Sequence, residues 1–600
     1  MVAGRQWTRS TVAPGGGPVV RSQIDLTAER PLRSPGKGNH PVSTELAVSP
    51  DGGLLVWTSR PDDGSTPSAL HMRRLDTGEV TRIQGTEGAF QPFISPDGRW
   101  IGFSVREGVG KYGLRRVPIE GGLAADLAEL PWPPSGASWE ADGTILLGSE
   151  VGGIRWVPAE GGAPRELTTA NRTREFGHRL PSALPGGRSF VFTTIPALFG
   201  VRARIEAVSL PGGERKLLVE DGADARYLAT GHLVFVRRGV VMAAPFDPER
   251  LELTAPPVPV VQAISQALNA GDSGDNSGAA QIAVSETGLL AYASGGIYPD
   301  TPIELLLVDE GGRTEPLPGF DKPLVSPQLQ FSPDGRQMVF IEQARSGLLW
   351  LFDVERHTYQ VLSDRGIASS PRWSPDGTRL VFGWTEAGPF HLWLRPTDRG
   401  NWQQLTSGEQ NDIAPFWSPD GRVLAFLRGG DVFLYRFEDK QVLPFLTTKA
   451  EEGYSEFSPD GRWLAYASNE TGRSEIHVTS FPDRERTRTV SDGGGSAPAW
   501  SHDGSRLFYY SPPSADGRHS MMAVAVRPGA ELSRGRPAAL FRLPDRFVSL
   551  SPVRSYDLHP DGRHFVMGRY VEGEPEPPIT RLELVHNWFA ELERLCPTGR

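Results

Sequence analysis

Cysteine is almost missing from this chain: Cys596 is the one cysteine in 600 residues, so no disulfide can form within it and cysteine usage carries no reading of its redox compartment. No apolar run reaches the roughly 18 residues that span a bilayer. The first 23 residues carry Arg5, Arg9 and Arg21 around Gly15-Gly16-Gly17-Pro18 without an apolar stretch, so they read as a flexible linker and not as a signal peptide. Long helical periodicity is absent too, whereas Gly (69) and Pro (53) are plentiful, which makes turns frequent and helices scarce. Lys and Arg (62) are outnumbered by Asp and Glu (72), and the net charge of −10 argues against a nucleic-acid footprint. Hydrophobic residues at 38% with 15 Trp suffice for a packed all-β protein.

What is present is a tetrapeptide that returns. Ser-Pro-Asp-Gly stands at 49–52, 95–98, 332–335, 374–377, 418–421 and 458–461, with worn copies ending at Gly143, Gly187, Gly231, Gly288, Gly504 and Gly562. The twelve glycines are 40 to 47 residues apart except for two steps of 57 and 58, each before the sixth copy of its half. A fixed period of this size marks a repeat architecture, here an ancestral six that was duplicated. In the first half the polar, glycine-rich segment 269–278 accounts for the long step.

Each unit has one grammar. An apolar residue precedes the Ser (Ile94, Phe331, Trp373, Trp417, Phe457, Trp500), and a second apolar run follows the Gly. Pro presets φ, Asp bonds its own backbone and Gly takes positive φ, so the two runs form a hairpin. A third run, such as 348–353 or 390–394, and a fourth, such as 359–362 or 403–406, complete four short strands in about 44 residues, the size of one propeller blade. The expectation is all-β: two tandem six-bladed β-propellers over 31–320 and 321–586. Residues 1–30 are a linker plus closing strand, and 587–600 are a short helix and tail. Residues 19–26 are expected to close a blade, the ring unspecified, because the last unit supplies three strands (555–558, 564–567 and 580–585). In the terminal helix Asn587 is the expected N-cap, with Trp588, Phe589, Leu592 and Leu595 on one side.

The repeat residues resemble the WD-like propeller repeats of TolB-type proteins. Residues 466–478 with Ser480-Phe481-Pro482, the terminal Asn587-Trp588-Phe589-Ala590-Glu591-Leu592, and segments 177–181, 224–228 and 241–247 resemble the C-terminal propeller region of bacterial transmembrane serine/threonine protein kinases. That resemblance covers about residues 20–597. It implies a kinase domain and membrane helix upstream and an extracytoplasmic sensor or scaffold role, with Met1 falling about where the family's linker leaves the membrane. Without that truncation the chain is expected to be cytoplasmic. No His-Arg-Asp loop and no Asp-Phe-Gly occurs, so phosphoryl transfer is not carried by these residues.

Other motifs have plainer readings. Gly108-Val109-Gly110-Lys111-Tyr112-Gly113 fits G-x-G-x-x-G, but a strand-like segment follows where a phosphate loop needs a helix, so a hairpin turn is expected. Gly271-Asp272-Ser273-Gly274 resembles a protease nucleophile segment, yet it lies in a polar, glycine-rich loop and no G-x-S-x-G elbow accompanies it. The repeated turn Asp reads as an Asx turn and not as a metal array. The 12 His form no H-x-x-x-H pair, and His559 and His564 flank one turn with nothing in the spacing to fix them on one ion, so no metal and no cofactor is expected.

Ligands of propellers usually bind at a channel mouth ringed by the residues that lead into the innermost strands. In the first ring these are Glu87, His178, Arg179, Asp224, Arg226 and Tyr227, the candidate ligand site. The alternative is structural: Arg226 bridging to Asp224 or Glu87, and His178 capping a backbone group. The second ring's lead-ins (369–371, 412–415, 453–455, 496–498) are small and mostly neutral, so it reads as spacer or docking surface. Three function classes follow: a non-catalytic sensory or scaffold module binding a protein, peptide or small molecule; a TolB-like envelope accessory protein; and a propeller hydrolase or lyase with a channel active site.

Overall fold

Each Ser-Pro-Asp-Gly turn is a closed set of hydrogen bonds. At the first copy Ser49 Oγ donates to Asp51 Oδ1 at 2.5 Å and accepts the Leu54 amide at 2.9 Å, while Asp51 Oδ1 also accepts the Gly53 amide at 2.9 Å. Gly52 sits at φ 76°, a left-handed conformation that costs a glycine nothing. The same bonds recur at Ser95, Ser332, Ser374, Ser418, Ser458 and Ser501. The Ser hydroxyl and backbone amide hold the Asp51 and Asp334 carboxyls below their usual range. The motif therefore organises hairpins.

The computed structural model describes residues 17–26, 30–32, 43–59, 67–108, 111–171, 175–196, 202–210, 212–268, 277–297, 302–322, 324, 326–342, 347–363, 365–386, 389–398, 400–514, 518–527, 532–548, 553–571 and 578–598. Among them are twelve antiparallel sheets of four or five strands and one helix, Trp588–Leu595. No helix among the described residues is long and apolar enough to cross a membrane. The G-x-G-x-x-G segment joins strands Trp100–Gly108 and Lys111–Pro118, a hairpin as expected. The Gly271-Asp272-Ser273-Gly274 segment lies outside the described residues.

The chain divides into two compact units, Met1–Pro299 with Glu574–Arg600, and Asp300–Gly573. Each contains six sheets; the innermost strands of the first five neighbour one another in turn, and the first sheet's innermost strand meets the sixth's. Both fifth sheets have a fifth strand, Val258–Val261 in the first unit and Ala538–Arg542 in the second, paired to the third. Those extra strands fall within both long steps; of the glycine-rich segment to which the sequence reading assigned the first of them, residues 269–276 lie outside the described residues.

The sixth blades differ from the expected boundaries. In the first unit the chain runs through Ile282–Val284 and Leu290–Tyr292 and then leaves. The edge at Leu290–Tyr292 is taken up by Arg581–His586, and Val20–Asp25 pairs on its far side. The strand expected at 580–585 in the last unit thus belongs to the first, and the closing strand at 19–26 finds its ring there. In the second unit Tyr556–Leu558 and His564–Tyr570 are completed by Ile303–Asp309 and Thr314–Pro316, residues the spacing had placed in the first ring. The physical reason is that an unpaired edge exposes a row of amides and carbonyls, and each ring covers its own with strands from both ends of its sequence. The second unit is inserted, along the chain, between the second and third strands of the first unit's sixth blade.

The terminal helix seals this blade. Trp588, Phe589, Leu592 and Cys596 are buried against Val585, Ile282, Val241 and Ala243. Leu595 is half-buried. Asn587 does not cap: it stands at φ 55° with no side-chain cap bond and donates instead to the Gly17 carbonyl. Arg21 holds Glu591 with two bonds at 2.7 and 2.8 Å.

Truncation after Gly573 is therefore expected to abolish cooperative unfolding of the first unit and leave that of the second, as read by differential scanning calorimetry. Trp588→Ala is expected to cost the first unit about 3–5 kcal/mol. A truncated chain that keeps both transitions contradicts this topology.

Candidate functional site

The innermost strands share a bulge. In four blades of each unit their register slips by one residue, and the residue at the slip is left-handed: Gln91, Gly136, Leu180 and Asp224 in the first, Ser370, Ala414, Tyr454 and Ala497 in the second. Bulges re-aim side chains. Here they turn polar groups toward the next blade. Gln281 Oε1 accepts the Glu45 amide at 2.9 Å, Glu45 Oε2 accepts the Gln91 amide at 3.2 Å, and Gln91 Nε2 donates to the Pro134 carbonyl at 3.0 Å. On the other side Thr193 Oγ1 accepts the Asp224 amide at 3.0 Å and Asp224 Oδ2 accepts the Ala280 amide at 2.9 Å. The first ring's channel is thus belted by bonds between neighbouring blades.

The six candidate residues fall along this frame in separate places. Asp224 and Arg226 come together at 3.1 Å, and Arg226 also donates to the Ile282 carbonyl at 2.5 Å. Tyr227 packs edge-on against Phe246. Glu87 is apart from them, exposed and paired with Arg82 at 2.9 Å. Arg179 is buried and donates to the Glu150 carbonyl at 3.2 Å, and burial brings its pKa down to about 10. His178 is fully buried, with Nδ1 2.7 Å from Thr168 Oγ1 and Nε2 3.0 Å from Glu175 Oε2. Glu175 in turn receives Arg215 at 2.5 Å, and Arg215 donates to Glu206 at 2.7 Å. Burial opposes the Glu175 charge, but the bonds from His178 and Arg215 outweigh it and hold the carboxyl at about 2. The Arg226–Asp224 bridge is the structural alternative, and His178 belongs to a buried network.

The second unit holds a cavity that sequence reasoning passed over. It is lined by Ser370, Arg372, Ala414, Phe416, Tyr454, Ser455, Glu456, Pro498, Val553 and Arg554. About 20 Å³ is open to the centre of a water molecule, room for one or two waters. Arg554 pairs with Glu456 Oε2, with Asp557 Oδ1 at 3.1 Å, and donates to the Pro498 carbonyl at 3.3 Å. Asp557 Oδ2 accepts the Phe331 amide at 3.2 Å. Arg372 donates to the Pro371 carbonyl at 3.1 Å, and its Nε has no partner among the described residues, as is true of Ser455 Oγ. Both guanidinium groups lie over the Phe416 ring, 5.2 and 5.5 Å from its centroid.

Two cations and two anions leave the cluster balanced. Burial lowers Arg372 to about 10 and pushes Glu456 up to about 7 against the pull of Arg554, whereas Glu456 and Asp557 carry Arg554 above its ordinary value despite burial. Arg554 therefore stays charged, and burial opposes the charge that Arg554 favours on Glu456. The signal for these groups lay two residues before each turn Ser, where the second ring has Gln330, Arg372, Phe416, Glu456, Ala499 and Asp557. The lead-ins, one to four residues earlier, are small and mostly neutral.

Residues 298–442 match the family model of the TolB beta propeller domain. The chain is 31% identical over 117 residues to the Tol-Pal system protein TolB of Anaeromyxobacter dehalogenans (strain 2CP-C), 19% of this chain and 26% of that protein. It is 22% identical over 191 residues, 24% of this chain and 29% of the relative, to the uncharacterized peptidase YuxL of Bacillus subtilis (strain 168). The chain thus spans less than a third of the length of these curated relatives. Among solved structures, a putative TolB from Agrobacterium tumefaciens is 17% identical with a TM-score of 0.36, covering 45% of this chain and 99% of that one. The tricorn protease is 13% identical with a TM-score of 0.30, covering 93% and 64%. The chain carries a TolB-type β-propeller domain.

Because Glu175 is held at about 2 in the folded state against 4.5 unperturbed, the unfolded state binds more protons between those values. The stability it contributes to the first unit, about 3 kcal/mol, is complete above pH 4.5 and lost as pH falls toward 2. Arg215→Met is expected to lower first-unit stability by about 3–5 kcal/mol and to flatten this acid limb in urea titrations between pH 5 and 3. Equal slopes in the two proteins contradict the network.

Proposed function

We propose that the chain is a non-catalytic interaction module that presents the channel mouth of its second ring to a protein or peptide partner. The observation that carries this is the state of the channel's charged groups. Glu456 and Asp557 are both bonded to Arg554, and the space beside them takes one or two waters. Buried charges bonded to each other hold a surface in one shape. A hydrolase needs an acid, base or nucleophile open to a substrate. His178, Arg179, Asp224 and Arg226 of the first ring, each bonded within the protein, fit a structural part better than a ligand site for the same reason.

Two attachments of such a module are proposed. The resemblance of residues 466–482 and 587–592 to the propeller region of bacterial transmembrane serine/threonine kinases favours a sensor or scaffold part of a larger receptor. The 117-residue likeness to TolB equally favours an accessory protein of an envelope complex. The relative named as a peptidase supports the third reading, hydrolysis.

A photo-crosslinking residue at half-buried Tyr454, on the cavity wall, is expected to yield discrete protein adducts in native extracts, and one at exposed Glu438 none. Peptide and ester panels are expected to show no turnover. Hydrolysis that is lost in Glu456→Gln, with no adduct at 454, would replace this reading by the hydrolase.

A further inference from the structure

The turn of the second unit's closing blade departs from its eleven relatives. Where eight copies have Ser, this one has His559, and two residues past the Gly, where others have Leu54, Trp100, Gln337 or Val423, it has His564. The hairpin itself is intact. The Gly562 amide donates to the His559 carbonyl at 2.9 Å, the His559 amide to the His564 carbonyl at 2.9 Å, and Asp561 Oδ1 accepts the Arg563 and His564 amides at 2.8 and 3.1 Å. Asp561 Oδ2 takes no turn amide, and with His559 in the Ser position no hydroxyl donates to this carboxylate. It faces His564 Nδ1 at 2.6 Å and His559 Nδ1 at 3.0 Å, and all three donor atoms lie within 4.8 Å of one another. The spacing of the sequence had not predicted this convergence, because it arises from side chains folding back over a single turn.

We propose that His559 Nδ1, Asp561 Oδ2 and His564 Nδ1 form a binding site for a divalent transition-metal ion of the zinc class. Two imidazoles and one carboxylate suit such an ion, whereas calcium and magnesium prefer oxygen throughout. Donors bonded to zinc at about 2.0–2.1 Å in a tetrahedron stand roughly 3.3 Å apart, so the contacts at 3.0 and 2.6 Å would open slightly, the His564 one more, to admit the ion. The backbone bonds fix the turn beforehand and the Phe331 ring stands edge-on against His559, 5.2 Å between centroids, so little ordering is left for the ion to impose. Asp309 lies opposite His564 on the neighbouring strand and adds negative field. His559 and His564 are half-buried and Asp561 is exposed, so the site opens to water on the Asp561 side. An ion there would tie both sides of a turn whose Pro560 packs against Gly335 in the unit's first blade, bracing the closure of the ring.

The test is equilibrium dialysis of the full chain against micromolar Zn²⁺, with Co²⁺ absorption as a second probe. One equivalent is expected to bind and to raise the melting temperature of the second unit. His559→Ala/His564→Ala is expected to lose that equivalent. Asp561→Asn keeps an oxygen for the turn amides and is expected to weaken binding at least tenfold without lowering the metal-free melting temperature. His502→Ala removes an imidazole of the adjacent turn, 3.9 Å from where a Cβ on Gly562 would sit, and is expected to retain one equivalent. Absence of stoichiometric binding in the parent chain, undiminished binding in the double variant, or loss of binding in His502→Ala would each overturn the site.

Discussion

Closure of the ring is the constraint from which the rest of this structure follows. A blade is a four-stranded sheet with two edges, and six blades bury their faces only if the last meets the first. In the first unit that condition is met by the pairing of Arg581–His586 with Leu290–Tyr292 on one side and Val20–Asp25 on the other. Nearly three hundred residues of chain separate the two middle strands, and they fold into a ring of their own. The terminal helix, the Arg21–Glu591 pair and the His232 contact with the Cys596 carbonyl at 2.5 Å all lie along this seam. Loop-closure entropy grows slowly with length, so an insertion of a whole ring between two strands is tolerable once the seam is well packed.

The same constraint organises the channels. Each innermost strand has a backbone edge with no fifth strand to cover it, and side chains reach from one blade to the next across it, those of Gln91 and Asp224 from a bulge with a left-handed residue. In the first ring these bonds are made by Gln281, Glu45, Gln91 and Asp224. In the second they are made by Gln328, which accepts the Ser370 amide at 2.7 Å, and by the Arg554 cluster. Polar residues near a propeller axis are thus first of all joints between blades, and binding takes place on what the joints leave over.

Much of this was legible in the residues. The turn motif counted blades because its Ser, Asp and Gly each make a bond or adopt a φ that no other position in the hairpin needs. The two fifth blades were visible as long steps. What periodicity could not show is which strand completes which sheet, since pairing between Arg581–His586 and Val20–Asp25 joins segments more than five hundred residues apart. The site was less legible. Asp224 and Arg226 do meet, two positions apart across a bulge. Glu87 and His178 share the lead-in position by sequence but point into different surroundings, one to solvent and the other into a buried network. Arg372, Glu456 and Asp557 escaped notice because each stands alone in its own repeat, and only the ring brings them together.

The central claim is that the chain's last strand belongs to its first ring. Hydrogen exchange followed by mass spectrometry under mild denaturant tests it directly. Amides of 20–25, 282–292 and 581–586 are expected to open together with the first unit, while 303–309 and 564–570 open with the second. Exchange of 581–586 in step with 564–570, and apart from 20–25, would contradict the account.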